Sequence, residues 1–431
     1  MELEAKAQSE CVGLEDLLVD DELLEMVLAF VGGARLPGQH VNLPWRYLLP
    51  TLALVSSRWR RLMAKPEVRR SLIAGLVFAF GDYQSPTGLT EDRKGLPTII
   101  RSLERVPVVD VCAGWQPPGS HALFLSATGQ VPSSPSRTVV YAFGSGRYGK
   151  LGLGNLLDHD RPVLVDTLSG VNVRQVAAGQ FHSLAVSERG EVFAFGCDDT
   201  GQLGLGRGHG YNPYQLYETS LQARLANVTV PERIAALAGR HIVAVAAGTH
   251  HSLFLSREGH VFSCGMDKYG KGRLGYKVDQ QDNIQKLPLM IECLSQHRVV
   301  DISAGEAHSL VVTDAGVLFG FGSNVNGQLG LGMADTQSHL PTPVSVAGEP
   351  ASLGLEGVVS VKSSVGQVVQ AVAGQQHSLA VTSCGRVYSF GLGSLGLGDT
   401  EDRATPTLVA ALGLVPVTRV STSGRFSFAV A

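Results

Sequence analysis

The sequence predicts a mostly β protein: a six-bladed β-propeller closed by strands from both ends of the chain, preceded by a small α-helical domain. Three observations predict it. A Gly-rich signature recurs six times, a second signature alternates with it, and the first seventy residues carry neither. The first signature reads Val140-Tyr-Ala-Phe-Gly144, Glu191-Val-Phe-Ala-Phe-Gly196, His260-Val-Phe-Ser-Cys-Gly265, Val317-Leu-Phe-Gly-Phe-Gly322 and Arg386-Val-Tyr-Ser-Phe-Gly391, with a more worn copy at Leu76-Val-Phe-Ala-Phe-Gly81. Most copies run into a Gly-Gln/Lys-Leu-Gly-Leu-Gly tail, as at Gly201–Gly206 and Gly327–Gly332. The second signature, Ala-Gly-x-x-His-Ser-Leu, stands at Ala178–Leu184, Ala247–Leu253, Ala304–Leu310 and Ala373–Leu379. Repeats of this size belong to propellers and solenoids.

The spacing separates rigid parts from free ones. From the Gly of Ala-Gly to the Gly of Phe-Gly the interval is 17 residues in four copies, 179 to 196, 248 to 265, 305 to 322 and 374 to 391. A fixed interval with two apolar runs and a central glycine is a β-hairpin. Gly190, Gly259, Gly316 and Gly385 mark turns that need positive φ. The opposite interval varies from 33 residues (81 to 114) to 52 (196 to 248), so it holds surface loop, where added length costs little. The strands are apolar almost throughout, as in Val192-Phe-Ala-Phe195, Leu253-Phe-Leu255 and Leu310-Val-Val312. Strands buried on both faces look like that. A propeller buries them between neighbouring blades, and the amphipathic helices of a doubly wound sheet are missing.

Six copies give six blades. The chain enters at Gly75 on the second strand of a hairpin and leaves through Val417-Thr-Arg-Val-Ser and Phe426-Ser-Phe-Ala-Val430 on the first. One blade is therefore assembled from both termini, which removes two exposed sheet edges.

Bulk properties narrow the class. Glycine supplies 51 of 431 residues, and no run of about 18 apolar residues occurs to span a membrane. The net charge of −3 argues against a general nucleic-acid or membrane-surface binder. The acidic start Met-Glu-Leu-Glu-Ala-Lys is unlike a signal peptide, and six scattered cysteines show no paired or zinc-like spacing. A reduced compartment, cytoplasm or nucleus, is the expectation, and there the acceptor-like Asn227-Val-Thr229 carries no glycan.

Two motifs mislead. Gly144-Ser-Gly-Arg-Tyr-Gly149-Lys150 fits the start of a phosphate-binding loop, but Leu151-Gly-Leu-Gly follows where a Ser or Thr and a helix are needed. The same register recurs as Gly196-x4-Gly201-Gln and Gly322-x4-Gly327-Gln, so the lysine belongs to a structural loop. His121, His182, His251, His308 and His377 occupy equivalent repeat positions, which the architecture holds apart; each is expected to hydrogen-bond backbone at the start of a buried strand, with the following Ser doing likewise. The last copy departs, with Arg425-Phe-Ser in place of His-Ser. No cofactor, metal or catalytic arrangement is expected.

Residues 75–431 closely resemble the regulator-of-chromosome-condensation repeat family, whose propellers usually have seven blades; six are legible here. That resemblance brings two activities with it. Exchange factors of the family act on the small GTPase Ran through a charged face and a wedge hairpin, which the long segments Arg207–Arg240 and Met333–Gln367 do not match. Ultraviolet-B sensing in similar plant propellers relies on clustered tryptophans, whereas this propeller holds only Trp115.

Before the propeller the composition changes, with residues 1–12 read as a disordered acidic start and 13–74 as a helical domain. Leu17–Val31 places Leu23, Leu24, Val27, Leu28, Phe30 and Val31 on a helical stripe behind an acidic start at Asp20–Glu22. Leu48–Leu62 forms a second helix with Leu54, Val55, Trp59 and Leu62. The stretches Val19-Asp-Asp-Glu-Leu-Leu-Glu-Met-Val-Leu-Ala-Phe-Val31 and Val55-Ser-Ser-Arg-Trp-Arg-Arg-Leu62 resemble an F-box, with Asp20 for the usual proline and Gly32–Leu48 inserted between the halves. The resemblance implies that Leu23, Leu24, Val27, Leu28, Phe30, Leu54, Val55, Trp59 and Leu62 contact a Skp-family adaptor and, through it, a cullin. The propeller would then present a target protein, with no catalysis by the chain itself.

Overall fold

The structure, a computed structural model, describes residues 78–79 and 98–99 and, from 108 to 430, all but 115–119, 129–136, 208–226, 268–271, 279–282, 333–335, 347–365, 394, 413–415 and 424–425. Chain contacts divide it into two compact units, Met1–Tyr83 with Gly88–Pro107 and Gln84–Thr87 with Val108–Ala431. In the first, β1 (Phe78–Ala79) pairs antiparallel with β2 (Thr98–Ile99).

The second unit is built from five four-stranded antiparallel sheets and a final pair. The first blade is β3 (Val108–Gly114), β4 (His121–Thr128), β5 (Arg137–Gly144) and β6 (His159–Leu164). The second is β7 (Val173–Ala178), β8 (His182–Ser187), β9 (Val192–Cys197) and β10 (Asn227–Arg233). The third is β11 (Ile242–Ala247), β12 (His251–Ser256), β13 (Val261–Met266) and β14 (Ile284–Met290). The fourth is β15 (Val299–Ala304), β16 (His308–Thr313), β17 (Leu318–Asn324) and β18 (Thr336–Val344). The fifth is β19 (Val368–Ala373), β20 (His377–Thr382), β21 (Val387–Gly391) and β22 (Arg403–Leu408), and β23 (Arg419–Ser423) pairs with β24 (Phe426–Val430) at the end. In every complete blade the strands pair in chain order, as in a propeller.

The two repeat signatures are the second and third strands of each blade. Strands β8, β12, β16 and β20 are buried at every residue, as the unbroken apolar runs require. Their hairpins turn at Gly190, Gly259, Gly316 and Gly385 with φ of 80°, 93°, 76° and 75°. A side chain there would be strained in the left-handed region. The fourth strands are partly exposed, and among the described strands they alone carry prolines (Pro162, Pro231, Pro288, Pro341, Pro343, Pro406), residues that an outer strand tolerates because it has a free side.

One element was not foreseen from the sequence. A single 3-10 turn follows the fourth strand at Asp166–Leu168, Ala235–Leu237 and Glu292–Leu294, and each sinks its last residue, Leu168, Leu237 or Leu294, into the core. Such a turn is too short to leave a periodic apolar pattern. Among the described residues no helix is long and apolar enough to cross a membrane.

The terminal pair is bound into this core. Val417 and Val420 are buried with Leu379, Val381, Val387 and Val409 of the fifth blade. Deleting Val417–Ala431 strips that cover and is expected to collapse soluble yield and lower Tm by several degrees. A truncated chain that melts at the full-length temperature would refute it.

Candidate functional site

Wherever two consecutive blades meet between the first blade and β24, a histidine of the second strand reaches into the next blade. His121 Nε2 lies 2.8 Å from Ser183 Oγ, and His182 Nε2 lies 2.8 Å from Ser252 Oγ. The series continues with His251 to Ser309 and His308 to Ser378 at 2.9 Å each, and with His377 to Ser427 at 2.8 Å. The histidines are therefore structural, but their partner is the neighbouring blade's serine and not backbone, which corrects the sequence expectation. Equivalent residues within one repeat cannot reveal a partner one repeat away.

The serines do bond backbone, in the blade behind them. Ser183 Oγ donates to Lys150 O (2.7 Å), Ser252 to Gln202 O (2.6 Å), Ser309 to Arg273 O (2.8 Å) and Ser378 to Gln328 O (2.7 Å). With its one proton given to a carbonyl, each hydroxyl must accept from the imidazole, so the proton sits on Nε2. The Nδ1 atoms of His121, His182, His251 and His308 are buried without a hydrogen-bond partner. That edge of the ring lies on the glycine of Ala-Gly. A Cβ on Gly305 would stand 2.7 Å from His308 Nδ1, and one on Gly248 would stand 2.6 Å from His251 Nδ1 and 2.7 Å from Gly305 O. The Ala-Gly and His-Ser halves of the signature are thus one contact.

A second set of links runs along the innermost strands. Gln175 Oε1 accepts Val245 N–H (3.0 Å), Asp301 Oδ2 accepts Ala371 N–H (3.0 Å), and Gln370 both accepts Val420 N–H (2.9 Å) and donates to Val420 O (3.1 Å). Asp110 bonds Val176 N–H in the same way. These residues vary in type between repeats, which hid them in the sequence.

The charges follow from burial. Burial holds His182 and His308 down at about 3 and His377 at about 4, and it pushes His121 and His251 well below the ordinary 6.5. Burial raises Asp301 to about 6 against the pull of its backbone donors and of Arg419. Lys150 is also buried and lowered to about 8 by desolvation, with Nζ donating to Gln180 O at 3.4 Å. Its equivalents are Gln202, Arg273 and Gln328, and Arg273 likewise reaches across to Glu306 O at 3.2 Å. The lysine of the phosphate-loop look-alike therefore serves a blade contact.

The loops that carry these signatures form one face, on which Arg147 lies over the Tyr148 ring at 5.2 Å. Tyr148 meets Phe181 edge-on at 5.5 Å, and Phe181 packs on His250 at 5.1 Å. Tyr148 adopts φ 66°, an uncommon conformation for an aromatic residue. Among the described residues no group of His, Cys, Asp and Glu could hold a metal ion. The expected adaptor residues Leu23, Leu24, Val27, Leu28, Phe30, Leu54, Val55, Trp59 and Leu62 lie outside the described residues, as does Trp115.

Antiparallel four-stranded blades joined in series by a repeated His–Ser contact define a repeat propeller whose identity lies in the Ala-Gly-x-x-His-Ser signature. A family described as the RCC1-like domain matches residues 139–431, and the chain belongs to it. It is 29% identical over 386 residues to the ultraviolet-B receptor UVR8 of Arabidopsis thaliana, covering 80% of each chain. It is 34% identical to the human probable E3 ubiquitin-protein ligase HERC6 and 31% identical to human HERC2, covering 74% and 83% of this chain. The chain spans only 26% and 6% of those two relatives. The fold matches human WBSCR16 (TM-score 0.58, 23% identity, 81% of this chain and 83% of that one) and Prp20p of Saccharomyces cerevisiae (TM-score 0.56, 21% identity, 83% and 91%).

Two outcomes follow from the latch. His251→Leu leaves the buried Ser309 hydroxyl short of its donor and should cost about 2 kcal/mol in urea unfolding, far more than an exposed histidine would. Acid should also unfold the protein steeply. The unfolded chain takes up histidine protons as pH falls below about 6.5 while the folded chain refuses them until about 3 to 4, so stability is complete above 6.5 and lost on descent. Each histidine contributes up to about 1.4 kcal/mol per pH unit in that window. Asp301, raised to about 6, works in the opposite sense, as do Asp110 and Asp267, which burial also raises, but these are three groups against five. Urea midpoints that stay flat from pH 7 to 5 would contradict the burial of neutral imidazoles.

Proposed function

We propose that the chain is the substrate-recognition subunit of a Skp–cullin–F-box ubiquitin ligase. The helical residues 13–74 bind the adaptor, and a six-bladed propeller, its sixth blade shared between the two ends of the chain, binds the target protein. One observation carries the reading: Val55-Ser-Ser-Arg-Trp-Arg-Arg-Leu62 follows Val19–Val31 and directly precedes the first propeller strand, the order of an adaptor-binding module fused to a recognition domain. Two relatives named as ubiquitin ligases carry the same repeats, which supports a place for such propellers in that pathway. The chain works by proximity, raising the concentration of target beside the ubiquitin-charged enzyme, in cytoplasm or nucleus. Target choice falls to the long segments Arg207–Arg240 and Met333–Gln367, whose length no blade requires.

A second reading, guanine-nucleotide exchange on a small GTPase, draws on the fold match to Prp20p, which is described with its binding to Gsp1p and histones. Stimulated nucleotide release from a GTPase would favour it.

The two readings separate at Leu24. Leu24→Asp puts a charge into the apolar adaptor contact, at a cost of several kcal/mol. Skp-family adaptor and cullin are expected to vanish from pull-downs while propeller-bound partners remain. If the unaltered chain captures no adaptor, the ligase reading fails.

A further inference from the structure

The ends of the blades where second and third strands turn carry arginines that no repeat position requires. Arg189 stands directly before the turn glycine of the second blade, and Arg257 stands two residues before that of the third. Arg240 and Arg298 precede the first strands of the third and fourth blades, by two residues and by one. At the matching positions other blades hold Glu188, Glu258, Asp314 and Ala315 in the turns, and Asn172 and Gln367 before the first strand. Four arginines at four non-equivalent positions play no part in building a blade. All four are exposed.

The fold nevertheless draws them into one arc across two seams between blades. A Cβ on Gly190 would stand 2.9 Å from His241 Cα, which puts Arg189 beside Arg240 and His241 of the next blade. Arg257 N–H donates to His241 O at 3.0 Å, and a Cβ on Gly259 would stand 2.9 Å from Arg298 Cα. From Arg189 to Arg298 every step is a peptide bond or a backbone contact. The backbone is fixed along the way: Gly190 and Gly259 N–H close their turns on Ser187 O and Ser256 O, and Asp314 N–H donates to Arg298 O at 2.9 Å.

These guanidiniums are also unpaired. Elsewhere Arg174, Arg207, Arg233 and Arg403 each face a carboxylate. Among the described residues the side chains of Arg189, Arg257 and Arg298 make no hydrogen bond or ion pair, and Arg240 only lies over the Phe262 ring at 5.5 Å. Of the carboxylates on the same turns, Glu188 faces Arg174 at 3.8 Å. Glu258 is held below the usual range by its own backbone N–H and by Ser256, and Asp314 stands at the far end. Four guanidiniums against Glu258 and Asp314 leave a positive arc on a chain whose net charge is −3.

We propose that this arc is a docking surface for an acidic, extended segment of a partner protein. The fork of a guanidinium matches a carboxylate with two parallel hydrogen bonds, and donors carried on a fixed backbone lose little freedom on binding. A peptide can set its carboxylates against the four arginines and neutral residues against Glu258 and Asp314. The uniform charge of a nucleic-acid backbone makes no such distinction, and a net charge of −3 opposes its approach. The surface goes beyond the ligase reading: it adds a contact on the turn side of the blades and requires neither adaptor nor GTPase.

The test titrates the full chain, by fluorescence anisotropy, with a fluorescein-labelled peptide of alternating Glu and Gly. A length of about ten residues lets it cross both seams at about 3.3 Å per residue. The peptide is expected to bind at low salt, and Arg189→Glu, Arg257→Glu and Arg298→Glu together should weaken it about tenfold or more at unchanged Tm. Arg161→Glu, which reverses an exposed arginine on the outer strand of the first blade, should leave binding unaltered. In the unaltered chain the bound peptide should slow amide exchange at 188–190 and 257–259 but not at 147–152, and this pattern decides the matter if the triple variant melts early. An unbound peptide, an equal loss in Arg161→Glu, or double-stranded DNA that binds the same arc more tightly overturns the proposal. Neither adaptor nor GTPase enters the measurement, so its failure and the failure of the ligase reading register separately.

Discussion

Everything in this propeller depends on a hydrogen bond that leaves its own blade. A sheet of four strands buried on both faces cannot stand alone, and its neighbours must be held at a fixed angle and height. The His–Ser contact does this with little material. An imidazole crosses the gap, a hydroxyl accepts it, and the same hydroxyl returns its proton to a carbonyl of the blade that sent the imidazole. The glycine beneath the ring is what lets the imidazole lie flat against backbone. Three of the signature's fixed letters are therefore parts of one joint, and changing any of them strands a buried polar group.

How far the sequence could be read follows from where each constraint acts. Hairpins were legible because the turn glycine, the 17-residue interval and the double-sided burial all act inside one repeat. The identity of each histidine's partner was not, since nothing in the order of residues says that position 182 faces 252 rather than the chain beside it. The inner links were hidden for a different reason: Asp110, Gln175, Asp301 and Gln370 share a geometry and not a residue type, because any side-chain acceptor of the right reach meets the same backbone N–H. The 3-10 turns were too short for a period to show. The helical stripe of Leu23, Leu24, Val27 and Leu28 is legible in the sequence but lies outside the described residues.

A scaffold determined this strongly by its joints leaves its loops free. Beyond Lys150, Gln202, Arg273 and Gln328, whose carbonyls complete the latch, the rest of the stretch between the third strand and the next blade is where length and chemistry vary without loosening the ring. That division explains how one family includes a light receptor and large ubiquitin ligases on recognisably the same repeat. It also explains Lys150 and Arg273, two buried cations among glutamines. At this position Lys150 and Arg273 each reach the next blade's carbonyl while the apolar stem fills space, whereas Gln202 and Gln328 accept backbone N–H groups of their own loops through Oε1.

The joints also have a direction. Each blade gives an imidazole forwards and receives one from behind, so no two ends are alike and no blade can be turned around without breaking two contacts. Directional joints in series behave as a chain of like links, and such a chain frays from its ends inward. In this protein the ends are the first blade and the terminal pair, with the third and fourth blades furthest from both. Opening events under heat, denaturant or mechanical pull therefore start beside Val111 and β24 and travel towards the junction of the third and fourth blades from either side, giving the series a kinetic beginning and a kinetic middle.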